Sequence, residues 1–202
     1  MRRATLVLLL SIACPLTIPA QSVAQNQQLQ LTTKITGQRF CAAPGSVDFL
    51  HIKLRLRYRN AGAQKLVIYK GNNLFFQVWV GSTTNQPSYQ LMTTGSRYLQ
   101  IAPENIDSPS PGRDFALLSS SENFETELMV SLPVARQGAR GTGGAITSGA
   151  HLLKITVSTW YESRQLGEKL QERWRRYGLL WTTAVTSAPI QFSSGTYSTS
   201  GC

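Results

Sequence analysis

A strict two-residue alternation from Leu50 to Arg59 constrains the fold of this chain more than any other feature. Apolar side chains occupy every second position and basic side chains the positions between them: Leu50, Ile52, Leu54, Leu56 and Tyr58 against His51, Lys53, Arg55, Arg57 and Arg59. Successive side chains of a β-strand point to opposite faces, so this period indicates a half-buried strand. We predict that one face joins the core. The other face then carries a row of cations, called here the basic ladder (Lys53, Arg55, Arg57 and Arg59).

Other segments carry shorter strand patterns separated by turn residues. Candidate strands span residues 29–35, 66–69, 74–80, 89–92, 97–101, 124–132, 152–160, 179–186 and 188–192, and Pro133 is expected to end the segment 124–132. Proline-rich residues 102–113 and glycine-rich residues 138–149 read as connections. A series of short strands with turns between them is typical of an all-β protein built as an antiparallel β-sandwich.

The segment from Ser163 to Tyr177 has a different period. Leu166, Leu170 and Trp174 recur every four residues, and Gly178 follows as a candidate C-cap. That spacing places the three apolar side chains on one face of a helix. We predict a helix near 163–177 that packs its apolar face on the β-sandwich.

Three stretches carry a resemblance to a known fold family. They are Leu54 to Gly62 followed by Leu66-Val67-Ile68, then Ser148 to Ile155, and finally Val185 to Phe192. They resemble the second strand, the penultimate strand and the closing strand of the immunoglobulin-like, fibronectin-like domains of bacterial exported proteins. The resemblance implies one immunoglobulin-like domain over residues 25–192, with the helix near 163–177 as an insertion. It also implies a binding or structural role, and residues 193–202 are expected to form a flexible tail rich in Ser, Thr and Gly.

The N-terminus has the pattern of a secretory signal peptide. A basic start at Met1-Arg2-Arg3 precedes an apolar run over residues 5–12, and Ser22-Val23-Ala24 offers small residues before a cut. The apolar run is too short to span a bilayer, which takes about 20 residues. We predict that residues 1–24 are removed and that the protein is exported to the periplasm or the cell exterior. A second reading stays open, in which Cys14 is lipidated as in a bacterial lipoprotein.

Cysteine use fits an oxidising compartment. Cys14 leaves with the signal, so Cys41 and Cys202 remain. Two thiols in an exported protein usually form a bridge, and we predict a disulfide between them. Two unbridged or intermolecular thiols are the alternative.

Charge makes the basic ladder the candidate binding surface. The chain has a formal net charge of +10, of which Arg2 and Arg3 leave with the signal. The ladder could bind an anionic glycan, a lipid headgroup or an envelope protein. The immunoglobulin-like arrangement implies that the segment 124–132 pairs with the ladder strand, so neutralisation of the ladder by Glu125 and Glu127 is the competing expectation. Export and the lack of interleaved aromatic residues argue against nucleic acid as the partner.

No motif in the sequence carries recognisable catalytic chemistry. His51 and His151 are interpreted as structural or solvated, and no His, Cys, Asp or Glu cluster has metal-binding spacing. We therefore expect no metal and no cofactor. The predicted function is a noncatalytic binding or structural module of the cell envelope. A hydrolase whose site is assembled from residues distant in sequence is the alternative.

Overall fold

The computed structural model describes residues 28–43, 47–70, 75–83, 88–96, 107–136, 144–160 and 163–195. The predicted signal peptide, the lipidation at Cys14 and the candidate strand 97–101 lie outside these residues, as do most of the predicted tail and Cys202. Those expectations stay predictions. Over the described residues the chain is all-β, with strands mostly in antiparallel pairing and a single helix.

Eleven strands are present in this part of the chain. They are β1 (Leu29–Cys41), β2 (Val47–Asn60), β3 (Leu66–Tyr69), β4 (Phe75–Ser82), β5 (Tyr89–Ser96), β6 (Phe115–Leu118), β7 (Asn123–Ala135), β8 (Ala150–Ser158), β9 (Leu179–Leu180), β10 (Val185–Thr186) and β11 (Ile190–Ser193). The first sheet has the order β1-β2-β7, and the second has the order β10-β8-β4-β5 with β11 also paired to β8. A third, smaller sheet has the order β6-β3-β9.

The first and second sheets bury their inner faces against each other. The apolar residues of the Leu50–Tyr58 alternation are at most 1 % exposed. They share one core cluster with Val78 and Val80 of β4 and with Leu153, Ile155 and Val157 of β8. Each of these strands alternates buried and outward positions. The result is a β-sandwich-like fold in which the basic ladder lies on an outer face.

The helix α1 (Arg164–Arg173) packs on the third sheet. The side-chain hydroxyl of Ser163 caps its N-terminus by accepting a hydrogen bond from the amide of Leu166. Leu170 and Trp174 are buried in a second core cluster with Tyr69 and Phe115, as the apolar period predicts. This cluster attaches the helix to the third sheet, whereas the sequence pattern predicts packing on the sandwich itself.

The helix ends earlier than its sequence pattern indicates. Trp174, not Gly178, is the C-cap, and the residues after it continue as turns. Gly178 has a φ of 144°, and a Cβ there would lie 2.5 Å from the carbonyl oxygen of Lys65. Glycine is therefore needed where the chain enters β9, because that conformation and that close approach both exclude a side chain.

Two strand boundaries also differ from the predictions. Pro133 does not end the strand, because β7 continues to Ala135. The Pro133 carbonyl accepts a hydrogen bond from the Ile146 amide, so the hydrogen-bonding side of Pro133 faces away from β2 and the missing N–H leaves the pairing with β2 intact. The short strand β6, Phe115–Leu118, was not predicted, and it pairs with the whole of β3.

Candidate functional site on the outer face of the first sheet

The basic ladder lies on the outer face of β2, the central strand of the first sheet. All four ladder side chains are exposed, and the neighbouring strands β1 and β7 add their own outward side chains to the same face. Residues two apart on a strand are about 6.6 Å apart, so the ladder spans about 20 Å. The ladder residues therefore form one continuous surface, as their spacing predicts.

Carboxylates face the ladder from β7. Glu127 forms an ion pair with Lys53, with 2.8 Å between the ammonium nitrogen and the carboxylate oxygen. Glu125 lies between two guanidinium groups, 3.9 Å from Arg55 Nε and 3.7 Å from Arg57 Nε. The Lys53 ammonium, by its hydrogen bond, holds the pKa of Glu127 below its usual value. The cross-strand pairing expected from the sequence is thus present. It covers the β7 side of the ladder.

Cations face the ladder from β1. Lys34 lies directly opposite Arg55, and Arg39 lies opposite His51. Neither Lys34 nor Arg59 takes part in an ion pair within the described residues. The face therefore carries six Lys and Arg side chains, all on β1 and β2, against two carboxylates, both on β7.

The contribution of β1 was missed at the sequence level because a bulge interrupts its alternation. The register shifts between Ile35 and Gly37, so that one extra residue enters β1. Such an insertion exchanges the two faces of a strand for every later residue. Arg39 consequently joins the same outer face as Lys34, although their numbers differ in parity. The nearby Lys34 was visible in a loosely alternating segment and could have been assigned to this face.

A cleft opens at the β-bulge end of this face. It has a volume of about 410 Å³ and is lined by Gly37, Gln38, Arg39, Cys41, His51, Lys53 and Met129. Gly37 lies opposite Lys53 and contributes no side chain, which leaves space above the sheet. A Cβ at Gly37 would meet only the Lys53 Cβ, at 3.7 Å, an ordinary contact. The cleft therefore has basic side chains at its rim, and a larger side chain at Gly37 would fill the space inside it.

The two histidines make local hydrogen bonds. His51 Nδ1 lies 2.6 Å from the Ser131 hydroxyl on β7. His151 Nε2 lies 2.8 Å from the Thr147 carbonyl oxygen, and its ring contacts Phe192. No ion pair between either histidine and a carboxylate occurs in the described ranges. The His51–Ser131 pair therefore stands without the acid of a Ser-His-Asp triad there.

The part of the chain that the structure describes carries neither a metal-binding cluster nor a helix of membrane-spanning length. It contains no group of three His, Cys, Asp or Glu side chains placed to hold a metal ion. None of its helices is long and apolar enough to cross a membrane. Cys41 is buried at the end of β1, and its predicted pairing with Cys202 remains a prediction because Cys202 lies outside the described residues.

Comparisons with known proteins give no family. No protein-family model matches the chain, and no curated protein matches it. Among solved structures, target SoR45 of the Northeast Structural Genomics Consortium is 9 % identical with a TM-score of 0.37, covering 84 % of this chain and 89 % of that one. A β-glucosidase from Listeria innocua in complex with gluconolactone is 11 % identical with a TM-score of 0.28, over 84 % of this chain and 16 % of the enzyme.

A β-glucosidase involved in saponin metabolism from intestinal bacteria is 16 % identical, with a TM-score of 0.29 over 79 % of this chain and 16 % of that one. The chain thus spans about one sixth of the length of the two β-glucosidases. Similarity at this level shows neither a shared family nor a shared activity.

Proposed function

We propose that this protein is an exported, noncatalytic binding module of the cell envelope that holds a polyanion on the outer face of its first sheet. The observation that best supports this proposal is the position of Lys34 on β1, directly opposite Arg55. Both carboxylates of the face, Glu125 and Glu127, lie on the other side of the ladder, on β7. We place the domain in the immunoglobulin-like class with an inserted helix. The support is the antiparallel sandwich and the three sequence stretches described above.

Electrostatics favours a ligand on the β1 side of the ladder. Like charges directly opposite each other on neighbouring strands destabilise a sheet. An anion lying between Lys34 and Arg55 would replace that repulsion with two attractions. The face therefore has more to gain from an anionic ligand than an evenly paired surface has.

The ion pairs on the β7 side do not block such a ligand. The side chains of Lys53, Arg55, Arg57, Glu125 and Glu127 are 44–51 % exposed. Exposed pairs of this kind are weak and are screened by salt. A polyanion can consequently compete with Glu125 and Glu127 for the ladder without exposing any buried charge.

Spacing favours an extended ligand with repeating charges. Cations recur about every 6.6 Å along β2, and the basic cleft continues the row at the β-bulge end. Sulfated or carboxylated polysaccharides and a membrane rich in anionic headgroups both present charge at intervals of this order. Both share the chemistry that the face requires, and the experiment distinguishes them.

Heparin chromatography of the chain from residue 25 onward tests the proposal. The ladder variant changes Lys53, Arg55, Arg57 and Arg59 to Ser. The control variant changes Arg164, Lys169, Arg175 and Arg176 to Ser, which are exposed residues on and after the helix. Both variants lose one Lys and three Arg, so their net charges are equal. We expect the ladder variant alone to elute at a markedly lower salt concentration, because only it removes the row of cations.

Two outcomes would contradict the proposal. Equal losses of retention in both variants would show a response to net charge, and unchanged retention of the ladder variant would remove the ladder as a contact surface. Co-sedimentation with phosphatidylglycerol vesicles, compared with neutral phosphatidylcholine vesicles, identifies the ligand source. Retention on heparin without vesicle binding indicates a polysaccharide, and binding to both indicates recognition of charge alone.

The His51–Ser131 hydrogen bond favours one second candidate, a hydrolase. A serine hydroxyl bonded to an imidazole is the starting arrangement of an activated nucleophile. A fluorophosphonate probe tests this directly. Labelling of Ser131 that is lost in His51→Ala would support the hydrolase, whereas an unlabelled protein would leave the pair as a structural contact between β2 and β7.

A further inference from the structure

The outer face of the second sheet carries a cluster of aromatic and aliphatic side chains on the opposite side of the sandwich from the ladder. Trp79 on β4, Tyr89 and Leu91 on β5 and Lys154 on β8 form it and are called here the aromatic platform. Leu91 is 40 % exposed, and Trp79, Tyr89 and Lys154 are half-buried. Tyr and Trp side chains are enriched in binding surfaces, and an apolar patch on a solvent-facing sheet often marks one.

Gly81 lets the Tyr89 ring lie across the sheet. Tyr89 is paired with Gly81 of the neighbouring strand, and a Cβ at Gly81 would lie 2.9 Å from the Tyr89 Cδ1. The ring thus occupies the space above Gly81 and reaches Lys154 on the next strand. A register shift between Val78 and Trp79 brings Leu91 opposite Trp79. Backbone features of β4 therefore assemble the platform from three strands.

Lys154 places a positive charge within the platform. Its ammonium lies 4.3 Å from the ring centroid of Tyr89 and 5.9 Å from that of Trp79. The five strands of this sheet contain no Asp or Glu. The cation is therefore held by aromatic rings on a face built without carboxylates, which suits an anionic group on a ligand.

Neutral hydrogen-bonding groups border the platform. Gln77 lies two residues from Trp79 and opposite Thr156, whose hydroxyl lies 3.0 Å from that of Thr186. These amide and hydroxyl groups can each donate and accept hydrogen bonds. Beside the rings there is thus a band suited to the hydroxyl groups of a ligand.

We infer that the aromatic platform is a second binding site, which takes sugar rings that carry carboxylates. The C–H face of a pyranose ring is attracted by the negative face of an aromatic ring, its hydroxyls suit the Gln77 and Thr156 band, and its carboxylate pairs with Lys154. A single ligand class uses all three features. A protein partner would use the rings but would leave the hydroxyl band beside them without a specific role. This site goes beyond the proposed function and does not depend on the ladder.

Tryptophan fluorescence reports on this site selectively. The chain has four tryptophans, and Trp160, Trp174 and Trp181 are at most 7 % exposed. Acrylamide in solution therefore quenches Trp79 in preference to the others. The probe ligand is an oligogalacturonate of ten residues, and we expect it to protect Trp79 from acrylamide. The fully methyl-esterified oligomer, which lacks the charge, is expected to bind about tenfold more weakly, as one ion pair at a partly desolvated site is worth about 1.4 kcal/mol.

Two single substitutions test the site without changing Trp79, which is needed as the fluorescent reporter. Tyr89→Ala removes one ring, and Lys154→Met removes the charge but keeps the length of the side chain. We expect each to weaken protection by about tenfold. The control variant with Arg164, Lys169, Arg175 and Arg176 changed to Ser loses four exposed cations outside the platform and should bind the oligogalacturonate as the unmodified protein does. Circular dichroism confirms that each variant is folded.

Three results would overturn the inference. The first is the absence of protection by millimolar oligogalacturonate, and the second is protection that survives both Tyr89→Ala and Lys154→Met. The third is a concentration-dependent dimer, seen by sedimentation, that Tyr89→Ala abolishes, because the platform would then be a contact between copies of this chain. Loss of heparin retention in the ladder variant bears only on the first sheet, so the two proposals fail separately.

Discussion

Lys34 and Arg55 face each other on neighbouring strands, a position in which like charges generally destabilise a sheet. Lys34→Gln removes the repulsion without changing the apolar face. We expect it to raise the free energy of unfolding by about 0.2–0.5 kcal/mol at low salt and to weaken heparin retention. Urea denaturation at low and high ionic strength measures the first effect, which should vanish at about 1 M salt.

Lys169→Gln provides the comparison for this substitution. Lys169 is an exposed residue on the helix, and its substitution by Gln removes the same positive charge as Lys34→Gln. It should change neither stability nor heparin retention beyond the general effect of net charge. A Lys34→Gln protein that is less stable than the parent at low salt would contradict the repulsion argument.

Asp48 is the most enclosed carboxylate among the described residues. It is 7 % exposed and accepts hydrogen bonds from the Arg136 guanidinium and from the Ala43 amide. The Arg136 guanidinium, through its hydrogen bonds, lowers the pKa of Asp48 from its ordinary value. These bonds join the start of β2 to Arg136, the residue that follows β7.

Asp48→Asn should lower the free energy of unfolding by about 1–3 kcal/mol at pH 7, because the bonds to a charged group are weakened. A carboxyl with a lowered pKa stabilises the fold above its unfolded pKa of about 3.9, and the effect is lost as the pH falls through the lower folded value. The difference between the two proteins should therefore narrow below about pH 4. Asp107→Asn, at an 86 % exposed side chain, is the control and should have an effect within about 0.5 kcal/mol.

The sequence allowed some of these residue contacts to be predicted and not others. Glu125 and Glu127 could be paired with the ladder because the immunoglobulin-like resemblance implied that the two strands are neighbours, and the alternation of each strand then gave its outward residues. The Lys34–Arg55 pair could not be predicted, since it depends on the register of β1 and on its bulge. The Tyr89–Gly81 contact likewise depends on pairing between strands, which local patterns do not specify.

The helix α1 is attached through few but large contacts. Leu170 is 1 % exposed, and Trp174 is fully buried with its ring 4.8 Å from that of Phe115. Leu170→Ala should lower the free energy of unfolding by about 2–4 kcal/mol, because it leaves a cavity under the helix. Glu168→Ala, which breaks only the exposed Arg164–Glu168 pair, should cost less than about 0.5 kcal/mol.

Thermal denaturation followed by circular dichroism measures both helix variants. Similar losses of stability in the two would show that the helix is held by its surface charges, not by its buried face. Loss of helical signal well before the β signal in Leu170→Ala would indicate that the third sheet and helix unfold as a separate unit.

Long strands with a steady period were recovered from the sequence more completely than short elements. The alternation over residues 50–59 fixed the faces of β2, and the four-residue period identified the buried face of α1. The strand β6 has only four residues and follows a segment rich in proline and glycine, so its pattern is too short to be distinguished from a loop. Its pairing with β3 is a tertiary contact. The early end of the helix likewise depends on tertiary structure and not on the local pattern.

At the scale of the whole molecule, the two proposed sites lie on opposite outer faces of one sandwich. The first face is defined by excess positive charge, and the second by aromatic rings around a single cation. A long acidic polysaccharide presents both repeating charge and sugar rings. One protein molecule would therefore bind one polysaccharide chain on its first sheet and a second chain on the aromatic platform. Cross-linking of such polymers by the unmodified protein, and not by the ladder variant or by Tyr89→Ala, would be the signature.

A disulfide between Cys41 and Cys202 would attach the end of the chain to the edge of the sandwich. A disulfide typically stabilises a fold by about 2–4 kcal/mol, mainly by restricting the unfolded chain. We expect Cys202→Ser, in the chain from residue 25 onward, to lower the free energy of unfolding by this amount under oxidising conditions and to have no effect in excess reductant. Intact-mass measurement after iodoacetamide treatment should find no adduct before reduction and two adducts after it. Two adducts without reduction would mean that both thiols are unbridged, and a dimer held by a reducible bond would mean that the pairing is between chains.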